Sequence, residues 1–225
     1  MLIRSFLVNK RCVGLVSAAL LFGSTLNAAE FAVSYDGFYD RMKVVNKGDY
    51  LLASVGFYLV DGQTPSLPCD ILSGRIVTEQ YEQPLSFTDK GQLLLPFEKQ
   101  LDQDKAVIVV QHSSAQCQLQ MQIEARDDYS QSVTKQQLFA TYQELDKLMD
   151  DLSGFLMSKV FSFLMPHMTG ITVEFTDLAE AVNDKEQWQC VKNRCFSKVD
   201  QSWETQKDAV LFSQAPVRIL PYLEK

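Results

Sequence analysis

The sequence predicts a mainly β protein of the α+β class: an N-terminal immunoglobulin-like β-sandwich, a helical segment, and a smaller C-terminal β-region. Three observations predict it. Residues 31–125 hold a series of short apolar or alternating runs separated by turn residues, the spacing expected of a two-sheet sandwich. From Thr134 the apolar period lengthens to three or four, as on one face of a helix. After Gly170 alternation returns, around two cysteines five positions apart.

The first segment in chain order reads as an export signal. Arg4, Lys10 and Arg11 form a positive region, Cys12 to Gly23 is apolar, and "STLNAA" ends in small residues. That is the layout of a secretory signal peptide over residues 1–28, with cleavage expected after Ala28. The apolar run is 12 residues long, and a spanning helix needs about 20, so no transmembrane anchor is expected in the mature chain. Cleavage would remove three basic residues and no acidic one, leaving 18 basic against 28 acidic in 197 residues. This balance argues against nucleic acid and anionic membrane surfaces, both of which favour a basic face.

Cleavage would also remove Cys12 and leave Cys69, Cys117, Cys190 and Cys195. An even number of cysteines in an oxidising compartment reads as two disulfides, and four allow three pairings. The gap in "QCVKNRC" is neither the C-x-x-C of a redox site nor the usual zinc spacing. Lys192-Asn193 at its middle suits a tight turn, so Cys190 is expected to meet Cys195 across a hairpin. Cys69 is then left for Cys117.

Residues 29–128 are expected to form the sandwich, beginning with "FAVSY". In "SVGFYLV", Val55, Phe57 and Leu59 alternate with Gly56, Tyr58 and Val60 before the turn at Asp61-Gly62. "CDILSGRIVTE", "PLSF" and "QLLLPF" follow, the last demoted to an edge or bend by Pro96. "AVIVV" (106–110) has no polar face and reads as a central strand. "CQLQMQIEA" is the clearest strand of all. Cys117, Leu119, Met121, Ile123 and Ala125 share one face, with Gln118, Gln120, Gln122 and Glu124 opposite. A strict period of two means one face buried and one wet.

Residues 129–170 form the helical segment. Leu138, Tyr142, Leu145, Met149 and Leu152 recur at helical spacing, Ser153-Gly154 is a candidate break, and "FLMSKVFSFLMP" is expected to run as a second helix to Pro166,. That second helix would be apolar on nearly every side. It is expected to be core between the β-regions, or else a partner or ligand face built on Phe155, Phe161 and Leu164. Residues 171–225 make the disulfide-stapled β-region, from "ITVEF" through the hairpin to "AVLFS" and "PVRILPYL".

Candidates for chemistry are few. No G-x-S-x-G, H-E-x-x-H or glycine-rich phosphate loop occurs,. His112 beside Ser113 and Ser114 is expected to be a loop histidine, since triads are assembled in space and not in sequence. Asp102 and Asp104 lack the further acids and glycine of a calcium loop. Asp146, Asp150 and Asp151 read as the wet side of the helix. Met165, His167 and Met168 are the ligand types that hold copper(I), though methionine is an ordinary core filler. No catalytic residue and no cofactor is expected.

The stretches "FYDRMKVVNKGDY", "LLLPFEKQLDQDKAVIVV", "ELDKLMDDLSGF" and "FLMPHMTGITVEF" together resemble a family of uncharacterised exported proteins from gamma-proteobacteria, a domain-of-unknown-function family. The resemblance covers most of the mature chain and implies export. It brings no assigned catalytic residue, cofactor or substrate. The functional expectation is therefore a periplasmic, non-catalytic binding or envelope-accessory protein acting on an envelope protein or ligand. The alternatives are a hydrolase acting on an envelope component, with its site in the groove between the β-regions, and a copper-handling protein.

Overall fold

The computed structural model describes residues 29–113, 116–126, 128–156 and 167–224. Residues 1–28, expected to be a signal peptide, and the apolar stretch 157–166 lie outside the described residues. Strands dominate, with three α-helices among the described residues, and the class is α+β.

The chain opens with β1 (Ala29–Ser34), whose side chains alternate between half-buried and exposed. Where the sequence reading placed only strands, α1 (Asp36–Lys47) follows. Phe38, Tyr39, Met42 and Val45 fall on one helical face, Asp36 lies in the first turn and Lys47 in the last, both favourable to the helix dipole. Expected strands appear as β2 (Ala53–Asp61) and β3 (Ile71–Val77); β4 (Glu82–Pro84) lies between the runs read as strands, and β5 (Ser86–Phe87) and β6 (Leu93–Leu94) fall within "PLSF" and "QLLLPF". A short helix, α2 (Lys99–Gln103), stands where the sequence predicts none; β7 (Val107–His112) and β8 (Cys117–Ala125) complete this part. Then come β9 (Ser132–Thr134), α3 (Lys135–Leu156), β10 (Met168–Glu174), β11 (Gln189–Val191), β12 (Arg194–Lys198), a 3-10 turn at Gln201–Thr205, β13 (Ala209–Leu211) and β14 (Arg218–Leu223).

Hydrogen bonding groups the described strands into several small sheets. One runs β1-β7-β3-β4 and another β11-β12-β10-β14, with two-stranded pairs β2-β8, β5-β6 and β9-β13. An immunoglobulin-like sandwich is not established by these ladders. β7 is central in the first sheet, and Ile108 and Val110 are fully buried there. β2 and β8 form a long antiparallel ribbon with Val55 opposite Ile123 and Phe57 opposite Met121.

α3 starts at a reciprocal cap. Thr134 Oγ1 accepts from the Gln137 backbone N–H at 3.2 Å, and the Gln137 side chain accepts from the Thr134 N–H at 2.9 Å, which satisfies donors that a helix start leaves free. Leu138, Leu145, Leu148 and Leu152 form its buried face. Ser153-Gly154 does not break it. The Ser153 hydroxyl bonds back to the Met149 carbonyl at 2.7 Å, and the helix continues to Leu156.

Two cores fill the described structure. One gathers α3 with Ile171 and Val173 of β10, Trp188, Trp203 and Phe212. The other gathers Tyr35, Phe38, Phe57, Leu59, Ile76, Ile108 and Val110. The first also takes Val45, Tyr50 and Ala53 from the N-terminal half, so β2 feeds both: Ala53 at its start and Phe57 and Leu59 beyond. The bridges in the structure are Cys69–Cys117 and Cys190–Cys195. Cys190 faces Cys195 directly across the β11-β12 pair, with Lys192 at φ 56° in the turn, the left-handed region that few non-glycine residues occupy.

Candidate functional site

β8 and β14 lie side by side, each paired on its other edge, to β2 and β10 respectively. No ladder joins them. Charged residues collect along this seam.

Strand register builds the first group. Glu174 on β10 pairs with Arg194 on β12 and with Arg218 on β14, so three charged side chains form one row across three strands. Arg218 Nε donates to Glu174 Oε2 at 2.8 Å, and its Nη2 lies 2.6 Å from the same oxygen. Arg194 ion-pairs with the other oxygen, Oε1. Glu174 is only 3% exposed, Arg218 is 24% exposed and Arg194 46%. Burial alone would lower the Arg218 guanidinium, but Glu174 and Tyr58 together more than offset this and raise it. Arg218 Nη1 also reaches across the seam to Gln122 Oε1, at 3.3 Å, and its guanidinium sits 5.1 Å from the Tyr58 ring centre, within cation–π range.

The second group is on the ribbon itself. The Tyr58 hydroxyl donates to the Glu124 carboxylate and lies 2.7 Å from both oxygens. Gly56, between Ser54 and Tyr58 on the same face, makes this contact possible. A Cβ there would stand 2.4 Å from Glu124 Oε1 and 2.5 Å from the Tyr58 ring. Burial pushes the Glu124 carboxyl above the ordinary glutamate value, and the Tyr58 hydroxyl bond and the Arg218 charge only partly oppose it. The Tyr58 hydroxyl is itself raised, first by burial and then by Glu124.

Grooves open on both sides of Arg218. One, of about 510 Å³, has Tyr58 and Glu124 in its lining and is walled by Asp89, Lys90, Arg126 and Asp128. The other, of about 590 Å³, runs between β8 and β14 past Arg194, Thr172 and Leu220 to Leu223. Both volumes fall in the range of small-ligand sites. A buried acid with its proton favoured, next to a paired arginine, suits hydrogen bonding to a guest and proton exchange with it.

The residues singled out from sequence lie elsewhere. His112 is not in a loop: it ends β7, opposite Ala29 and Ile71, and is 4% exposed, with no hydrogen-bond partner for Nδ1 among the described residues. The strand run extends two residues beyond its apolar part, and this carries the ring inward. Ser114 lies outside the described residues. Asp102 belongs to α2 and Asp104 follows it, bonded to Gln100 at 2.7 Å. Asp150 and Asp151 are exposed on α3, where Asp151 accepts from the Tyr50 hydroxyl; burial, then Asp150, raises the Asp146 carboxyl. Of the copper candidates, His167 is exposed, Met168 is buried in the α3 core and Met165 lies outside the described residues. No group of three His, Cys, Asp or Glu side chains among the described residues is placed to hold a metal. Phe161 and Leu164 lie outside the described residues, as does the Phe155 side chain.

Neither Glu124 nor the charged row is among the candidates the sequence offers. Alternation alone places Glu124 on a wet face. A signal for the row existed: "ITVEF" and "PVRILPYL" each carry one charge inside an apolar strand, with opposite signs. A lone charge in a buried strand needs a partner, and these two supply each other.

Residues 27–175 match the model of a family described as a protein of unknown function (DUF2987), and the chain belongs to that family. The match includes Tyr58, Glu124 and Glu174 and ends before Arg194 and Arg218. No curated protein and no solved structure matches the chain.

Proposed function

We propose that this member of the DUF2987 family is an exported, periplasmic, non-catalytic binding or envelope-accessory protein, and that its ligand or partner seats at the β8–β14 seam. The seam itself carries the reading. Two strand edges meet without a ladder, and polar and charged side chains line a groove on either side. Unpaired strand edges and convergent polar groups in a cleft are features of binding sites. Export draws its support from the layout of residues 1–28, from the two disulfides, which persist in oxidising compartments, and from the described helices, none of which is long and apolar enough to cross a membrane.

A hydrolase acting on an envelope component is the second reading, favoured by one observation. Burial favours the protonated form of Glu124 in a groove that Asp89 and Asp128 also line, and a general acid with a second carboxylate nearby is a hydrolytic arrangement.

Site-specific photo-crosslinking in the periplasm tests the binding reading. A crosslinker at Lys90 or Arg126 on the groove wall is expected to capture a discrete species. The same group at Lys185, an exposed residue that lines neither groove, is expected to capture none. Equal capture at all three positions, or none at the groove wall, would remove the seam from consideration. Turnover of purified cell-wall or envelope substrate that disappears in Glu124→Gln would replace the binding reading with the hydrolase.

A further inference from the structure

We propose that the slot between β8 and β14 takes an extended peptide segment of a partner protein, which adds as a strand along the open edge of β8 and carries acidic and apolar side chains in alternation. This rests on the reading of the seam as a binding site and names the chemistry of its guest.

Backbone direction selects a strand. The Gly62 N–H donates to the Gln116 carbonyl at 2.9 Å and the Arg126 N–H to the Leu52 carbonyl at 2.8 Å, one step beyond each end of the β2–β8 register. Successive residues of an antiparallel strand bond toward one neighbour and then the other. The even-numbered residues of β8 therefore bond to β2, and the N–H and C=O groups of Leu119, Met121 and Ile123 point into the seam. No ladder and no isolated bridge reaches them among the described residues. Such a row is a template for another strand. β14 is a poorer one. The Phe175 N–H donates to the Asn193 carbonyl at 2.9 Å and the Val199 N–H to the Thr169 carbonyl at 3.1 Å, so β10 turns its odd-numbered residues to β12 and turns Thr172 and Glu174 to β14. Their register partners Leu220 and Arg218 then bond inward. Pro221 is left facing the seam with no N–H to give, as a proline on an outer edge does.

Side-chain order selects the sequence of the guest. The slot, of about 590 Å³, is lined by Gln120, Met121, Gln122 and Ile123 in succession. Successive residues of a strand point to opposite faces, so the slot follows the edge of β8 and opens to both faces. On one it meets Gln120, Gln122, Thr172, Arg194 and Arg218; on the other it meets Met121, Ile123 and Met149 of α3. A strand presents side chains to both faces in turn. The arginine face calls for an acid. Glu174 carries one negative charge and is shared by two guanidiniums, so the row Arg194–Glu174–Arg218 holds one positive charge in excess. Arg194 is half exposed, and its fork of N–H donors suits a second carboxylate. On the opposite face, methionines adapt to varied apolar side chains. In strand addition the main-chain bonds give affinity and the pockets for alternate side chains give specificity.

The test is fluorescence-polarisation titration of the purified protein with a labelled, capped peptide that alternates valine with glutamate. It is expected to bind in the micromolar range. The same peptide N-methylated at alternate amides keeps its side chains but cannot form the ladder, and one with lysine for glutamate reverses the charge. Each is expected to bind at least about tenfold more weakly, as loss of main-chain or charge-assisted bonds implies. Arg194→Gln should weaken the valine–glutamate peptide by about tenfold and leave a valine–glutamine peptide unaffected, a contrast that a general loss of structure would not give. Hydrogen exchange at Leu119, Met121 and Ile123 should slow in the complex. Equal binding of the N-methylated peptide, or unchanged exchange at those three amides, would overturn strand addition. Equal binding of the lysine peptide would overturn the acidic guest. Protection of the three amides that rises with protein concentration and needs no peptide would put a second copy of this chain in the partner's place and overturn the proposal. Absence of binding by the valine–glutamate peptide would also overturn it, and crosslinking at Lys90 would then show whether the seam reading survives without it.

Discussion

Glu174 Oε2 accepts a hydrogen bond from Arg218 Nε at 2.8 Å, across neighbouring strands in which the two residues are register partners. Glu174 is almost wholly buried, and Arg194 holds its other oxygen. Removing one member of such a set leaves its partners desolvated and unpaired, which costs more than the pair contributes. Glu174→Ala should therefore lower stability by about 3 kcal/mol, measured by urea unfolding. Arg194→Gln, at the exposed end of the row, should cost under about 1 kcal/mol. Equal costs would mean that burial does not grade the row.

Glu124 gives a pH dependence with a definite sign. Its folded-state pKa is raised, by burial first, so the folded chain binds a proton more tightly than the unfolded chain. Its contribution is fully present below the ordinary value of 4.5 and is lost as pH rises through the higher folded value. Glu124→Gln cannot titrate and keeps an acceptor for Tyr58. The stability difference, variant minus wild type, should grow as pH rises from 4.5 and then level off. A flat difference between pH 4 and pH 8 would contradict the burial effect.

Gly56 tests the same pair sterically. Its missing Cβ leaves the space that the Glu124 carboxylate and the Tyr58 ring occupy. Gly56→Ala should cost about 2 kcal/mol, as overpacking of a filled site does. It should also move the Tyr58 ring resonances in an NMR spectrum, which an unrelated backbone effect would leave in place.

Glu144 holds the start of β2 to α3. Its Oε2 accepts from the backbone N–H of Leu52 at 2.7 Å and of Ala53 at 3.2 Å. Glu144→Ala leaves both donors without that charged acceptor, so the expected loss is about 2 kcal/mol. Hydrogen exchange at Leu52 and Ala53 should accelerate ahead of the ribbon centre.

The disulfides should contribute unequally. Cys69–Cys117 closes a separation of 48 residues and Cys190–Cys195 one of five. Loop-closure entropy then assigns about 4 kcal/mol to the first and about 2 kcal/mol to the second. Paired alanine variants compared by thermal unfolding check that order.

The sequence by itself determined what local periodicity and spacing encode. Alternation in "CQLQMQIEA" located β8 and its inward face, helical spacing from Leu138 to Leu152 located the buried side of α3, and the gap between Cys190 and Cys195 located a hairpin. Helical spacing of Phe38, Met42 and Val45 also marks α1, within a stretch the sequence reading places in the sandwich. Only the tertiary structure decided what covers the second face of each strand. Alternation says that Glu124 points away from Ile123; it does not say that Arg218 and Tyr58 wait there. The charged row is likewise a product of register, since Glu174, Arg194 and Arg218 are separated by 20 or more positions in the chain and meet because antiparallel pairing places them opposite one another. Burial of a charge depends on partners brought from a distance, and a period of two carries no record of them.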